Sequence, residues 1–275
     1  MRLSLLPFRY GVLVVAGLSL LALPAAADWE EVYSVGGNLH SQPLDACSGH
    51  GFGLVICGGT FSQGLTTDGS AFVMKLDQAE PLEPVFTTVF DPYHNGAVAN
   101  GICNLNDGTY VIAGAANTFS KSPHPLLAVI DDDGNVLESH ELTELTGRGR
   151  DVFMAADGGY ILSGETWAGD VARQCFVSRI SPDLCTIEWT WLYSEQNPYP
   201  PRNPIESRIY TDCVLEIPGS FGDPYGGKII VGLCTDPGDD YPTPDIANAV
   251  VAVLDGSGNE LVREHWALPC ALDGT

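Results

Sequence analysis

Acidic side chains crowd one short stretch of the sequence. Asp131, Asp132 and Asp133 stand together, and Asn135 follows two residues later. Alternating oxygen ligands in a tight turn are typical of calcium loops, but the twelve-residue spacing that ends in Glu is missing here. We therefore expect a solvated turn, and we keep calcium, with Asp131 and Asp133 as its ligands, as the alternative.

Two proline-rich segments carry further acids. SEQNPYPPRNPIE (194–206) contains Glu206, and TDPGDDYPTPD (235–245) contains Asp239 and Asp240. Proline is rare inside strands, so both segments are predicted to be loops. A pair of carboxylates hydrolyses glycosidic bonds when the two groups lie ~5–10 Å apart. These three acids are therefore the candidate catalytic groups if the protein is an enzyme.

The sequence nominates no nucleophile and no resident cofactor. Its six histidines show no H-x-x-x-H spacing, and the G-x-S-x-G motif of serine hydrolases is absent. No pair of C-x-x-C motifs is present either, so a structural zinc site is not predicted.

The start of the chain predicts export. Two arginines precede an apolar run (11–23), and three alanines (25–27) follow it. This order is that of a secretory signal peptide (1–27) with an A-x-A cleavage site. An N-terminal membrane anchor is the less favoured alternative, because the run is short for a span. We expect the remaining chain (28–275) to be periplasmic, extracellular or at the cell surface, with no membrane span.

The chain is strongly acidic, with 35 Asp and Glu against 12 Lys and Arg and a formal charge of −23. Such a chain repels phosphate backbones, which excludes nucleic acid as an expected partner. Its field attracts cations such as calcium, but acidity also keeps an exported protein soluble, and we favour this second interpretation.

Eight cysteines in an exported chain indicate disulfides. Cysteines on consecutive strands of one hairpin can pair, although sequence alone does not fix the connectivity. We predict three cross-strand pairs, of which the last is least favoured: Cys47–Cys57, Cys213–Cys234 and Cys175–Cys185.

A glycine that follows a short apolar run recurs four times. The four segments are LVICGGT (54–60), YVIAGAA (110–116), YILSGET (160–166) and KIIVGLCT (228–235). One short apolar run precedes each segment and two follow it, with polar turns between them. Because the runs are rich in Val, Ile, Phe and Tyr and lack helical periodicity, they predict strands joined by hairpins.

Four antiparallel strands that repeat every ~40–60 residues are typical of a β-propeller blade. We predict an all-β propeller with about four visible blades, at approximately 43–90, 97–142, 149–193 and 207–266. The segment 29–35 reads like one further strand. Either the chain is a truncated ring or it is a small ring with a spare edge strand, and we favour the truncated ring.

The repeat resembles that of secreted bacterial β-propeller proteins in the style of kelch repeats, whose blades read roughly DGGYIVAG followed by KLDxxGN. The resemblance implies the propeller fold for nearly all of 28–275 but no particular activity. The matching segments are NDGTYVIAG (106–114), DGGYILSG (157–164), FVMKLD (72–77), VIDDDGN (129–135) and VLDGSGN (253–259).

The first strand of each blade would line the central channel of the propeller. Asp45, Asp151 and Asp212 lie near the starts of such strands. Together they could bind a cation in the channel. We favour the alternative that each carboxylate caps a turn or accepts backbone N–H groups.

Loops between the second and third strands share one face of a propeller with the loops between blades, and function concentrates in such loops. The segments 194–206 and 235–245 are expected on this loop face. Aromatic side chains join them there: Phe61, Phe119, Trp167, Tyr199 and Tyr241. With Asp239 and Asp240 they could hold a sugar or a peptide, although packing between blades is the favoured alternative.

We expect a secreted, non-enzymatic scaffold that binds a protein or a glycan through its loop face. A carbohydrate-active hydrolase or lyase that uses the loop carboxylates is one alternative. A structural module of a larger surface protein is the other.

Overall fold

The computed structural model describes residues 40–51, 53–61, 69–77, 83–120, 122–166, 174–193, 208–217, 227–236 and 248–267. The predicted signal peptide and the loop 194–206 lie outside these ranges. So do five of the predicted site residues: Trp167, Tyr199, Tyr241, Asp239 and Asp240. A search of the described ranges finds no helix with the length and hydropathy of a membrane span.

Sixteen strands form four antiparallel sheets in the described part of the chain, each with its strands in sequence order. Blade 1 contains β1 (His40–Ser48), β2 (Leu54–Phe61), β3 (Ser70–Leu76) and β4 (Pro84–Phe90). Blade 2 contains β5 (Ala97–Asn104), β6 (Thr109–Ala116), β7 (His124–Asp131) and β8 (Val136–Glu141). Blade 3 contains β9 (Gly147–Met154), β10 (Tyr160–Thr166), β11 (Gln174–Ile180) and β12 (Ile187–Tyr193). Blade 4 contains β13 (Arg208–Ile217), β14 (Lys228–Asp236), β15 (Asn248–Leu254) and β16 (Glu260–Ala267).

The first strands of successive blades contact one another, β1 with β5, β5 with β9 and β9 with β13. The second and third strands carry most of the burial, whereas the fourth strands consist mainly of exposed and half-buried residues. The second and third strands therefore supply the apolar faces by which neighbouring blades pack together. This arrangement confirms the predicted all-β propeller, of which the described residues form four blades.

A separate apolar core fills each space between blades. Val73 of blade 1 and Ile112 of blade 2 belong to the first core. Val111 and Leu162 belong to the second core, between blades 2 and 3. Successive residues of one strand, such as Val111 and Ile112, thus belong to opposite cores because side chains alternate across a sheet.

The recurring glycine of each blade is a steric requirement in the first three blades. A Cβ on Gly58, Gly114 or Gly164 would overlap a carbonyl oxygen of the neighbouring first strand. In these blades the first strand shifts its register by one residue at this position, which is a β-bulge that turns its backbone toward the glycine. The glycine therefore recurs because two backbones approach each other closely at this position of each blade.

The turn before the glycine strand also follows the prediction. In blade 3, Ala155 donates its N–H to the carbonyl of Gly159 at 2.8 Å. Gly158 has φ +91°, a left-handed conformation that glycine adopts without steric cost. The Asp-Gly-Gly sequence is thus the hairpin between β9 and β10.

Candidate functional sites

Asp45 lies on β1 and bonds to the next blade. Its Oδ2 accepts the backbone N–H of Ile102 on β5 at 2.9 Å. Burial raises the pKa of Asp45, and the backbone hydrogen bonds only partly offset it. The carboxylate thus fastens the first strands of blades 1 and 2 together, which agrees with the backbone-binding role that we favoured over a cation site.

Asp151 likewise links the first strands of blades 3 and 4 through a hydrogen bond. Its Oδ2 accepts the N–H of Val214 at 3.0 Å, and its Oδ1 accepts its neighbour Val152 N–H at 2.8 Å. Burial raises the pKa of Asp151, and the charge of Asp45 raises it further. The negative charge of Asp45 therefore acts on the carboxyl group of Asp151.

The middle interface uses an amide where the others use a carboxylate. Asn100 Nδ2 donates to the carbonyl of Gly149 at 2.7 Å. Gly101 leaves no room for a side chain because a Cβ there would lie 2.5 Å from the carbonyl oxygen of Arg150. Asp212 lies in β13, and its side chain is outside the described residues.

The Asp131–Asp133 turn is held by its own hydrogen bonds. Asp131 Oδ1 accepts the N–H groups of Asp133 at 3.1 Å and Asn135 at 2.7 Å, and its Oδ2 accepts the Asn135 amide at 2.9 Å. These bonds, first of all the Asn135 amide, lower the pKa of Asp131. Hydrogen bonds within the turn thus explain the position of the Asp131 carboxylate. Calcium binding by Asp131 and Asp133 stays an untested alternative.

Asp132 forms an ion pair between blades that sequence reasoning missed. Its Oδ1 lies 2.5 Å from Lys75 Nζ on β3 and accepts the Tyr110 hydroxyl at 2.6 Å. Tyr110 is fully buried, and its oxygen also accepts the N–H of His50 at 2.8 Å. Burial acts to raise the pKa of Asp132, but the hydrogen bonds from Lys75 and Tyr110 lower it overall. The scarcity of lysine in this acidic chain was the signal that could have drawn attention to Lys75.

A second missed pair lies near the start of β9. Arg150 Nη2 donates to Glu165 Oε1 at 2.9 Å, and the Glu165 side chain is fully buried. A carboxylate without solvent needs such a partner, because an unpaired buried charge is strongly destabilising. This pair therefore stabilises the loop-face end of blade 3.

Among the described residues of the loop face, Phe119 has an exposed aromatic ring. Phe119 packs against Gly96, where a Cβ would overlap the ring, and 42% of its surface remains exposed. Beside it, Asn95 Nδ2 donates to Asn117 Oδ1 at 3.0 Å, and Asn117 Nδ2 donates to Glu141. We call Phe119, Asn95, Asn117 and Glu141 the blade 2 loop surface.

The side chains of the other predicted loop aromatics lie outside the described residues. Phe61 is the last residue of β2, but its side chain is outside the described residues. Trp167, Tyr199 and Tyr241 lie outside them altogether, as do Asp239 and Asp240. Their part in a site remains a prediction.

The predicted disulfides Cys47–Cys57 and Cys175–Cys185 are wrong in this structure. Cys47 and Cys57 hold no disulfide, because Cys47 lies opposite Val55 whereas Cys57 lies opposite Asp45. Cys175 is near the start of β11 and Cys185 lies beyond its end, so about 20 Å of strand separates them. The error for Cys47–Cys57 came from register, which hairpin spacing does not fix within two residues.

The remaining predicted pair is only partly described. Cys213 lies opposite Gly232, and Cys234 lies opposite Tyr210. The side chains of both cysteines are outside the described residues. The Cys213–Cys234 disulfide therefore stays a prediction.

One further cluster joins the outer edge of blade 2 to blade 3. Cys185 Sγ lies 3.2 Å from His140 Nδ1, and His140 Nε2 lies 2.7 Å from Glu138 Oε1. Sequence reasoning missed it because Cys185 stands 45 residues from His140. Across the described ranges, His, Cys, Asp and Glu side chains nowhere gather in threes as a metal site.

Comparison with known proteins leaves the chain without a family assignment. A scan against models of protein families found no match, and a search of curated proteins found none.

Proposed function

We propose that the protein is a non-enzymatic scaffold that binds a glycan through its loop face, after export. The observation that carries this proposal is the exposed ring of Phe119 beside the polar groups of the blade 2 loop surface. Binding sites of this kind combine apolar contact area with a few well-placed polar groups. The enzyme and structural-module alternatives lack a comparable observation among the described residues.

The chemistry of this surface suits a sugar. An aromatic ring offers a flat apolar face, and carboxamide and carboxylate groups accept and donate hydrogen bonds to hydroxyl groups. The ring is held by Gly96 and the Asn117 side chain is held by Asn95 and Glu141. Because these groups are already positioned, little conformational entropy is lost when a ligand binds.

The test is a glycan array screened with the purified protein, followed by calorimetry with the best soluble oligosaccharide. We expect Phe119→Ala to weaken binding at least tenfold. Leu137→Ala is the matched control, because Leu137 is an exposed apolar residue (57%) on the outer strand β8. It should leave binding unchanged.

Two results would contradict the glycan assignment. If Phe119→Ala and the native protein bind the glycan equally well, the blade 2 loop surface is not the binding site. Absence of glycan binding together with Phe119-dependent capture of a protein would make the partner a protein.

The alternative of a carbohydrate-active enzyme depends on acids outside the described residues. Changing Asp239 and Asp240 together to Asn separates the two functions. An enzyme that uses these carboxylates would lose turnover of its glycan, whereas a scaffold would keep binding and folding.

A further inference from the structure

The three interfaces between the described blades are of two kinds. Phe86 on β4 covers Gly134 in the turn after β7, where a Cβ would lie 2.6 Å from its ring. Trp189 on β12 covers Gly258 in the turn after β15 at the same 2.6 Å. The two carboxylate hydrogen bonds described above join the same pairs of blades. The interface between blades 1 and 2 thus has the same contacts as the interface between blades 3 and 4.

The interface between blades 2 and 3 differs at both positions. The residue of β8 that corresponds to Phe86 and Trp189 is Glu138, which lies next to the register shift of that strand. The residue that corresponds to the two turn glycines is Leu184, with φ +60° and a buried side chain. Blades 1 and 3 therefore form one class, and blades 2 and 4 form another.

Blades 1 and 3 share a phenylalanine over the repeated glycine. A Cβ on Gly58 would lie 2.6 Å from the ring of Phe72, and a Cβ on Gly164 would lie 2.6 Å from the ring of Phe176. We call the side of a blade toward the next blade in the sequence its forward face, and the opposite side its rear face. Phe176 belongs to the core between blades 2 and 3, so its ring lies on a rear face.

Blades 2 and 4 share a valine on the third strand, directly before the register shift between the third and fourth strands. Val129 and Val253 occupy this position, where blades 1 and 3 have Lys75 and Arg179. Val129 packs against the core between blades 2 and 3, so it lies on the forward face of blade 2. The forward face of blade 4 therefore resembles the face of blade 2 that packs on blade 3.

Five apolar residues form the forward face of blade 4. On β15, Val250 and Ala252 belong to the core shared with blade 3. Because side chains alternate along a strand, Val251 and Val253 point to the opposite side. Residues of the neighbouring strands in register with them complete this face. Its members are Leu215, Ile230, Val251, Val253 and Val262.

These side chains are more exposed than their counterparts in blade 2. Leu215 is 45% exposed and Val262 is 50% exposed, and the other three are half-buried. In blade 2 the corresponding side chains of Val111 and Leu127 are fully buried in the core shared with blade 3. A contiguous exposed apolar surface of this kind marks an interaction site.

The rear face of blade 1 is the matching half of such an interface. Three apolar cores combine residues of two blades, whereas the buried cluster of Phe72, Met74 and Leu76, with Ile56 beside it, contains residues of blade 1 only. Ile56 is half-buried, but its counterpart Leu162 in blade 3 is fully buried. In the described part of the chain, β13 and β1 lack the extensive contact that joins successive first strands.

We propose that the forward face of blade 4 packs against the rear face of blade 1 in a second copy of this chain. The alternation selects this partner, because within one chain the forward face with a valine packs on the rear face with a phenylalanine, between blades 2 and 3. Each copy carries both faces, so a second contact of the same kind joins the remaining two. The two sets of four blades then close one ring of eight, which is within the size range of propellers.

Burial of apolar surface drives this association, and charge opposes it. Each copy has a formal charge of −23, so two copies repel each other. Salt screens this repulsion. We therefore expect the association to strengthen as the salt concentration is raised, which is the opposite of the behaviour of a contact held by ion pairs.

The experiment measures the mass of the full chain in solution by light scattering and sedimentation equilibrium. We expect twice the mass of one chain. Val262→Asp places a charge on the forward face of blade 4, and Ile56→Asp places one on the rear face of blade 1. Each should weaken the association about hundredfold, because an unpaired charge would be buried in an apolar contact. Leu192→Asp is the matched control, since Leu192 is exposed (52%) on the outer strand β12 of blade 3, and it should leave the mass unchanged.

Mixing the two variants identifies which faces meet. Val262→Asp keeps an intact rear face on blade 1, and Ile56→Asp keeps an intact forward face on blade 4. An equimolar mixture should therefore recover dimers through one intact contact. Circular dichroism of each variant, together with this recovery, establishes that both variants are folded.

Three outcomes would overturn the proposal. A native chain that stays monomeric at its highest soluble concentration would show that the two faces do not meet. A dimer that Val262→Asp weakens and Ile56→Asp does not would assign the contact to the forward faces of both copies. A dimer that neither variant weakens would place the contact elsewhere on the molecule.

Discussion

Lys75 and Asp132 lie 57 residues apart in the sequence, and their charged groups meet at 2.5 Å across the interface between blades 1 and 2. The lysine is almost fully buried, whereas the Asp132 side chain is 36% exposed. The carboxylate thus provides the negative charge that a buried ammonium group requires. One of the few lysines of this acidic chain is thus buried between two blades.

Asp132→Asn should lower the free energy of unfolding at pH 7. The substitution leaves the Lys75 ammonium buried without an opposite charge. Breaking fully buried pairs costs ~3–5 kcal/mol, but solvent screens the half-exposed Asp132, so we expect a loss of about 2 kcal/mol. Urea denaturation measures it, and Asp133→Asn, in the same turn, should change it by less than about 0.5 kcal/mol.

The same pair predicts a dependence on pH. Because the folded state lowers the pKa of Asp132, its contribution is complete above the unfolded pKa near 4. It is lost as the pH falls through the lower, folded pKa. The difference between native protein and Asp132→Asn should therefore be constant near neutrality and close below about pH 4. A difference that persists unchanged at lower pH would assign the effect to shape and not to charge.

Asp151→Asn should show the opposite trend. Burial raises the pKa of Asp151 in the folded state, so ionisation of this group destabilises the fold. As the pH rises from the unfolded pKa near 4 through the folded pKa, the native protein should lose stability relative to the variant. Urea denaturation across this window measures the trend. A constant difference between the two proteins would contradict the role of burial.

Gly114→Ala tests the close approach of backbones at the repeated glycine. The new Cβ would overlap the carbonyl oxygen of Val98, and neither backbone can move without disturbing a sheet. We expect a loss of ~3 kcal/mol or more in the free energy of unfolding. Gly158→Ala is the control, because it has φ +91° but open space around it, and should cost only ~1 kcal/mol.

Trp189→Ala tests the contact between ring and glycine at the last interface. The ring covers Gly258, and its Nε1 donates to the carbonyl of Gly256 at 3.2 Å. Because Trp189 is only half-buried, we expect a loss of ~2–3 kcal/mol in thermal or urea unfolding. Val85→Ala, at an exposed position (57%) of β4, should change stability by less than ~0.5 kcal/mol.

The fold could be predicted largely from the sequence because its signals are local. Short β-branched runs, turn glycines such as Gly158 and the repeated Gly114 each act within one hairpin. The contacts of the candidate sites could be predicted less well from the sequence. Register decided the cysteine pairing, since Cys57 lies opposite Asp45 and not opposite Cys47. A shift of two residues is below what hairpin spacing defines.

By itself the sequence determined the strands and their grouping into four blades. These features depend on side-chain alternation and turn geometry, which act over a few residues. Only the tertiary structure decided which residues meet between blades, as Lys75 meets Asp132 and Cys185 meets His140. Such contacts join positions about 50 residues apart, and they depend on the bulges, the twist and the packing distance of whole sheets.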